Sequence, residues 1–81
     1  MFKARTADGR NNITGLRAKE LRKALQISQR ELSDRLQVVG LDIDKNAVQR
    51  IESGERFVTD IEIIALSECF NIAFNKLLGI D

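Results

Sequence analysis

The 81-residue chain has no histidine, no proline and a single cysteine, and each scarcity removes a class of chemistry. One cysteine makes no internal disulfide, and without imidazole the usual ligands of a zinc site are missing. A reducing compartment is the natural expectation, with no metal and no cofactor. Long apolar runs are absent too: nothing approaches the ~18 residues of a membrane span. The opening stretch MFKARTADGRNN lacks the apolar centre of a secretion signal, so the expected address is cytoplasmic, with no membrane partner. No Gly-rich phosphate loop, serine-nucleophile motif or paired acid–base constellation occurs, which argues against an enzyme. Repeats, low-complexity tracts and Pro/Ser-rich linkers are lacking as well.

What remains is the composition of one folded domain. Apolar residues make up 43% and charged residues 31%, the balance of a globular chain rather than a disordered one. The net charge of +1 predicts no acidic partner, but its distribution is uneven. Residues 1–56 hold 12 Lys and Arg against 8 Asp and Glu, a surplus of +4, whereas residues 57–81 hold 1 against 4, or −3. A dipolar domain can engage a polyanion with one side; a chance partition of an ordinary charged surface is the plainer alternative.

Residues 1–12 show no periodicity and read as a flexible tail carrying Lys3, Arg5 and Arg10, with the domain proper spanning 13–81. Leu16, Leu21, Ala24 and Leu25 then share a face, which predicts a first helix over about 15–25. SQRE supplies Ser28 as N-cap and Glu31 at the third helical position, a capping box. A second helix therefore starts at Gln29, buries Leu32 and Leu36, and stops near Gly40. Asp44 caps a third helix that Gly54 closes. Thr59 and Glu62 repeat the capping box for a fourth helix reaching about Phe70, on which Ile61, Ile64, Ala65 and Glu68 mix core and surface. A short fifth helix runs from about Phe74 to Leu78 and ends at Gly79. Five helices and no alternating stretch make the expected fold all-α.

The third helix is the informative one. At ~100° per residue, Lys45, Asn46, Gln49, Arg50 and Ser53 fall on one face, opposite Ala47, Val48 and Ile51. A face rich in amide and cationic donors, with no acid between them, suits bases lining a DNA major groove. Asn and Gln pair with adenine there, and Lys or Arg with guanine. The alternative is an ordinary solvated surface. The second helix strengthens the first reading, because its N-terminus at Ser28, Gln29 and Arg30 offers unpaired N–H groups and a dipole that favour a phosphate. One helix would hold the backbone while the next reads bases.

LRKALQISQREL, NAVQRIESGERF and NKLLG in that order resemble the helix-turn-helix domain of the xenobiotic-response-element type, the lambda-repressor-like fold of many bacterial and phage regulators. The resemblance covers about residues 16–79 and rests on Leu21, Arg22, Ser28, Gln29, Leu32, the IESG run at 51–54, and Leu77, Leu78 and Gly79. It implies that Gln29 contacts a phosphate, that Lys45, Asn46 and Gln49 face base edges, that Arg50 lies at the groove margin, and that Arg56 meets a phosphate. It also implies that Arg22 pairs with Glu52 as a latch between helices, at a surface pair's worth of ~0 to 1 kcal/mol. Two departures stand out: QVVGLDI sets seven residues between Leu36 and Asp44, longer than the family's usual turn, and Val58 lies near the place of a proline often found after the third helix.

Cys69 is expected to be ordinary packing, since Glu68 beside it would raise its pKa, and Asp42 and Asp44 are expected to be turn and cap residues. Phe70, Ile72, Phe74, Leu77, Leu78 and Ile80 must partly close the core; the rest would form a homodimer contact, with core filling alone as the rival. The function these features imply is a sequence-specific regulator of double-stranded DNA acting as a repressor. The alternative is a protein-interaction module, such as an antitoxin that binds a partner protein.

Overall fold

In the computed structural model, which describes residues 5–80, the chain forms α1 (Thr14–Ala24), α2 (Gln29–Val38), α3 (Lys45–Ser53), α4 (Asp60–Phe70) and α5 (Phe74–Leu78). All five expected helices are present within a residue or two of their expected bounds, and no strand occurs among the described residues. The fold is all-α, as expected. Lys3 lies outside the described residues.

The local signals act as their chemistry requires. Ser28 Oγ accepts from Glu31 N at 3.0 Å and Asp44 Oδ1 from Ala47 N at 2.8 Å, each satisfying a donor that the helix start leaves unpaired. At α4 the box is reciprocal: Thr59 Oγ1 accepts from Glu62 N, and Glu62 Oε1 accepts from Thr59 N. At Ser28 only the serine half forms. Two helices end without glycine: α4 closes on Asn71 at φ 54°, with Ile72 N on Ser67 O and Asn71 N on Glu68 O, and α1 closes in the same way. Gln26 occupies the left-handed region at φ 58°, while Ile27 N bonds Arg22 O and Gln26 N bonds Lys23 O. That is a Schellman closure built without glycine.

Leu32, Leu36, Leu66 and Leu77 are fully buried, and Val48, Ile51, Ile43, Ile27, Ala18 and Ala65 complete the core. α3 packs against both α1 and α2, and α5 packs on α4 and α1. The long connection between α2 and α3 is not a slack loop. Leu41 and Ile43 turn inward, Leu41 N bonds Leu36 O at 2.9 Å, and Gln37 Nε2 donates to Ile43 O at 3.0 Å. Its extra length is spent on two core side chains.

Two expectations are corrected. The buried side of α1 is not the leucine stripe: Leu16 and Leu25 are about half exposed and Ala24 is exposed, while Thr14, Gly15 and Ala18 are buried. Small residues win that face because α1 lies so close to the end of α3 that a Cβ on Gly15 would collide with the Ile51 carbonyl. Nor are residues 6–12 a loose tail. Asn12 is buried, its Oδ1 accepts from Gly15 N at 2.7 Å to cap α1, and its Nδ2 donates to Ile51 O and Arg56 O.

Candidate nucleic-acid interface

α3 presents its faces as the periodicity requires. Val48, Ile51 and Glu52 are buried, and Lys45, Asn46, Gln49, Arg50 and Ser53 are exposed. Lys45, Arg50 and Arg30 form no ion pair among the described residues, which leaves their charges available to a ligand. Arg30, Lys45 and Asn46 line one cleft of about 370 Å³ between α2 and the start of α3, together with Ser33, Gln37, Asp34 and Asp44. Arg30 near the start of α2 and the exposed side of the start of α3 therefore share one surface. Asp44 is occupied there as the α3 cap.

The latch is a buried, bidentate pair rather than a surface one. Arg22 Nε donates to Glu52 Oε2 at 2.7 Å and Nη2 to Oε1 at 3.0 Å, while Nη1 reaches Ile27 O at 2.9 Å. The two side chains are only 12% and 3% exposed. This fork geometry fixes orientation as well as energy. Gln29 joins it: Nε2 donates to Glu52 Oε1 at 3.1 Å, so Gln29 stands half-buried at the junction of α2 and α3, with one amide hydrogen and its oxygen unbonded among the described residues. The sequence predicts a phosphate contact for Gln29; the structure gives it an internal partner first.

Arg56 departs further from expectation. Its guanidinium pairs with Glu62, the carboxylate that also closes the α4 capping box, so it ties the loop after α3 to the start of α4 rather than standing free for a phosphate. The physical reason is proximity: the well-buried Glu62 carboxylate needs a cation more than solvent does. Ser28 remains exposed at the α2 terminus, though its hydroxyl oxygen is engaged by Glu31 N.

The second clasp on α3 was not visible in the sequence. Arg10 Nη2 donates to Glu52 O at 2.8 Å and Ile51 O at 3.4 Å, and Asn11 Nδ2 donates to Glu55 O at 2.9 Å. Two signals were available: an asparagine three residues before Gly15 is a helix cap by type, and a glycine inside a first turn has no local reason to be there.

Comparison with known proteins decides the class of this architecture. A family described as Helix-turn-helix matches residues 19–77, most of the chain. The chain belongs to the helix-turn-helix family. Among solved structures, this helix-turn-helix chain is similar to the restriction-modification controller protein C.AhdI from Aeromonas hydrophila. The two are 30% identical with a TM-score of 0.68, over 79% of this chain and 86% of that one. It shares its fold with the P22 c2 repressor protein, crystallised in complex with a synthetic operator, at 24% identity and a TM-score of 0.70 over 86% of this chain and 98% of that one. No curated protein matches the sequence. No helix among the described residues of this helix-turn-helix chain is long and apolar enough to cross a membrane.

Proposed function

We infer that the chain is a transcriptional regulator that binds double-stranded DNA sequence-specifically, a repressor whose α3 enters the major groove. The observation that carries this reading is the exposed Lys45, Asn46 and Gln49 face beside the free end of α2. Amides and an ammonium aimed outward from one short helix match the donor and acceptor code of the major groove. Ser28, Gln29 and Arg30 approach the backbone at the positive end of α2, and Arg50 lies at the groove margin. Arg56 is left out of the contact set because Glu62 holds it. The likeness to a controller protein and to a repressor solved with its operator supports a regulatory reading over a catalytic one.

The C-terminal segment supports a homodimer, because Leu77 closes the core whereas Phe74 and Ile80 remain 52% and 56% exposed. A two-fold contact there would set two α3 helices about one DNA turn apart, ~34 Å. Selection of bound duplexes from a random pool tests the whole reading: a half-site motif repeated with that spacing is expected, and no enrichment at low salt would end it. A protein partner is the second reading, favoured by the apolar groove of about 130 Å³ between the α2–α3 connection and α4, lined by Val39, Leu41, Ile61 and Ile64. A stable 1:1 protein complex isolated without nucleic acid would move the assignment there.

A further inference from the structure

The segment before α1 does more at the end of α3 than close a chain terminus. The last carbonyls of a helix have no partner within it, and in this chain the tripeptide Arg10–Asn12 supplies donors to five of those at and just beyond the end of α3. Arg10 serves Ile51 and Glu52, the Asn11 backbone N–H serves Gly54 and its side chain Glu55, and Asn12 serves Ile51 and Arg56. The Arg10 guanidinium also stands at the negative end of the α3 dipole, where a cation is favoured. Its own loop aims it there: Thr6 N bonds Arg10 O at 2.8 Å, and Arg10 N bonds Thr6 Oγ1 at 2.9 Å.

Space has been left for that guanidinium by two glycines. A Cβ on Gly54 would lie 2.8 Å from Arg10 Cζ, and one on Gly15 would lie 2.8 Å from Arg10 Nη2. Gly54 needs its left-handed φ of 86° in any case, but Gly15 is ordinary helix, and only the close approach of Arg10 and α3 accounts for it. The C-terminal half of α3 is thus gripped from two directions, by Arg22 and Gln29 on the Glu52 side chain and by Arg10 on the Glu52 backbone.

We propose that Arg10 is a positioning residue for sequence readout: it fixes the pitch of α3 over its last turn, and thereby the line along which Lys45, Asn46 and Gln49 meet the bases, without touching DNA. This rests on the DNA-reading assignment of α3. The two can fail separately.

The test uses the full chain, the best duplex recovered from the random pool and a shuffled duplex of equal length. Arg10→Lys keeps the charge but has only one nitrogen, so it loses the rigid planar fork in which Nε bonds Asn12 O at 3.3 Å while Nη2 bonds Ile51 O and Glu52 O; Arg10→Ala removes all three bonds. Affinities are measured across salt concentrations, well below each variant's melting temperature. Positioning predicts that both variants lose about tenfold in the ratio of selected to shuffled affinity, roughly 1.4 kcal/mol, with an unchanged salt slope. If Arg10 instead contacts a phosphate, Arg10→Lys retains binding and Arg10→Ala weakens both duplexes alike, with the slope smaller by about one; that result overturns the proposal. Unchanged ratios in folded variants overturn it too, as does an Arg10→Lys chain that is unfolded even in the cold, since orientation would then be inseparable from folding. A parent chain that enriches no duplex sinks the DNA reading itself.

Discussion

At the residue scale, exposure divides side chains that reach outward from those that hold the scaffold. Asn46 and Gln49 make no side-chain hydrogen bond among the described residues and lie open to solvent, so their removal should leave folding intact. Gln49→Ala is expected to weaken binding to the selected duplex by about 1–3 kcal/mol and to relax preference at one base pair, read by repeating the selection with the variant. These positions were legible in the sequence because helical periodicity alone fixes which side of a nine-residue helix they occupy. Arg10 was not, because its partners lie more than forty positions away and no local pattern joins them. Cys69 is half-buried, and burial pushes its thiol pKa up, with the Arg35 charge pulling partly the other way. The neighbouring Glu68, expected to be the cause, is not what raises it. Since the raised pKa favours the neutral thiol in the folded state, its contribution to stability is fully present below the ordinary thiol pKa and is lost as pH rises through the higher, folded-state value. A colorimetric thiol reagent at pH 8 should accordingly label the folded chain more slowly than the urea-unfolded chain; equal rates would contradict the burial.

At the element scale, side-chain caps explain where α1 to α4 start, and left-handed residues that bear a side chain explain how α1 and α4 end. Gln26 holds the left-handed conformation with φ 58°, an arrangement that costs a residue bearing a Cβ roughly 1–2 kcal/mol. Gln26→Gly should therefore raise stability by about 1 kcal/mol after the entropy lost by the more flexible unfolded chain is subtracted. A higher urea midpoint with unchanged slope is the expected sign, and a lower one would show that the glutamine side chain contributes something its exposure does not reveal. The boundaries of α2, α3 and α4 could be read from Ser28, Asp44 and Thr59 because capping is chemistry within four residues of chain. The orientation of α1 could not. Its leucines suggested one buried side, yet the side chosen was that of Gly15 and Ala18, since the helix had to approach the end of α3 closely.

At the scale of the whole molecule, Glu52 is where the helices meet. Its carboxylate takes three donors from α1 and α2 while its carbonyl takes Arg10. Removing one partner of a buried pair leaves a charge uncompensated, so Arg22→Ala is expected to cost about 3–5 kcal/mol, against the few tenths typical of a surface pair. Chemical denaturation measures this directly. An effect below 1 kcal/mol would mean that water replaces the guanidinium at no great cost, and that the junction is less closed than its burial indicates.

The number of helices, their caps and the outward face of α3 follow from residue order, because each depends on spacing within a turn, whereas the pairing of Arg22 with Glu52, thirty positions apart, was implied only by the family resemblance. Tertiary structure alone decided that Arg56 belongs to Glu62, that Gln29 braces Glu52, and that the residues before α1 clamp the end of α3. Those are competitions between distant groups for the same buried charge or orphaned carbonyl, and their outcome depends on which donors the packed helices bring within about 3 Å of one another.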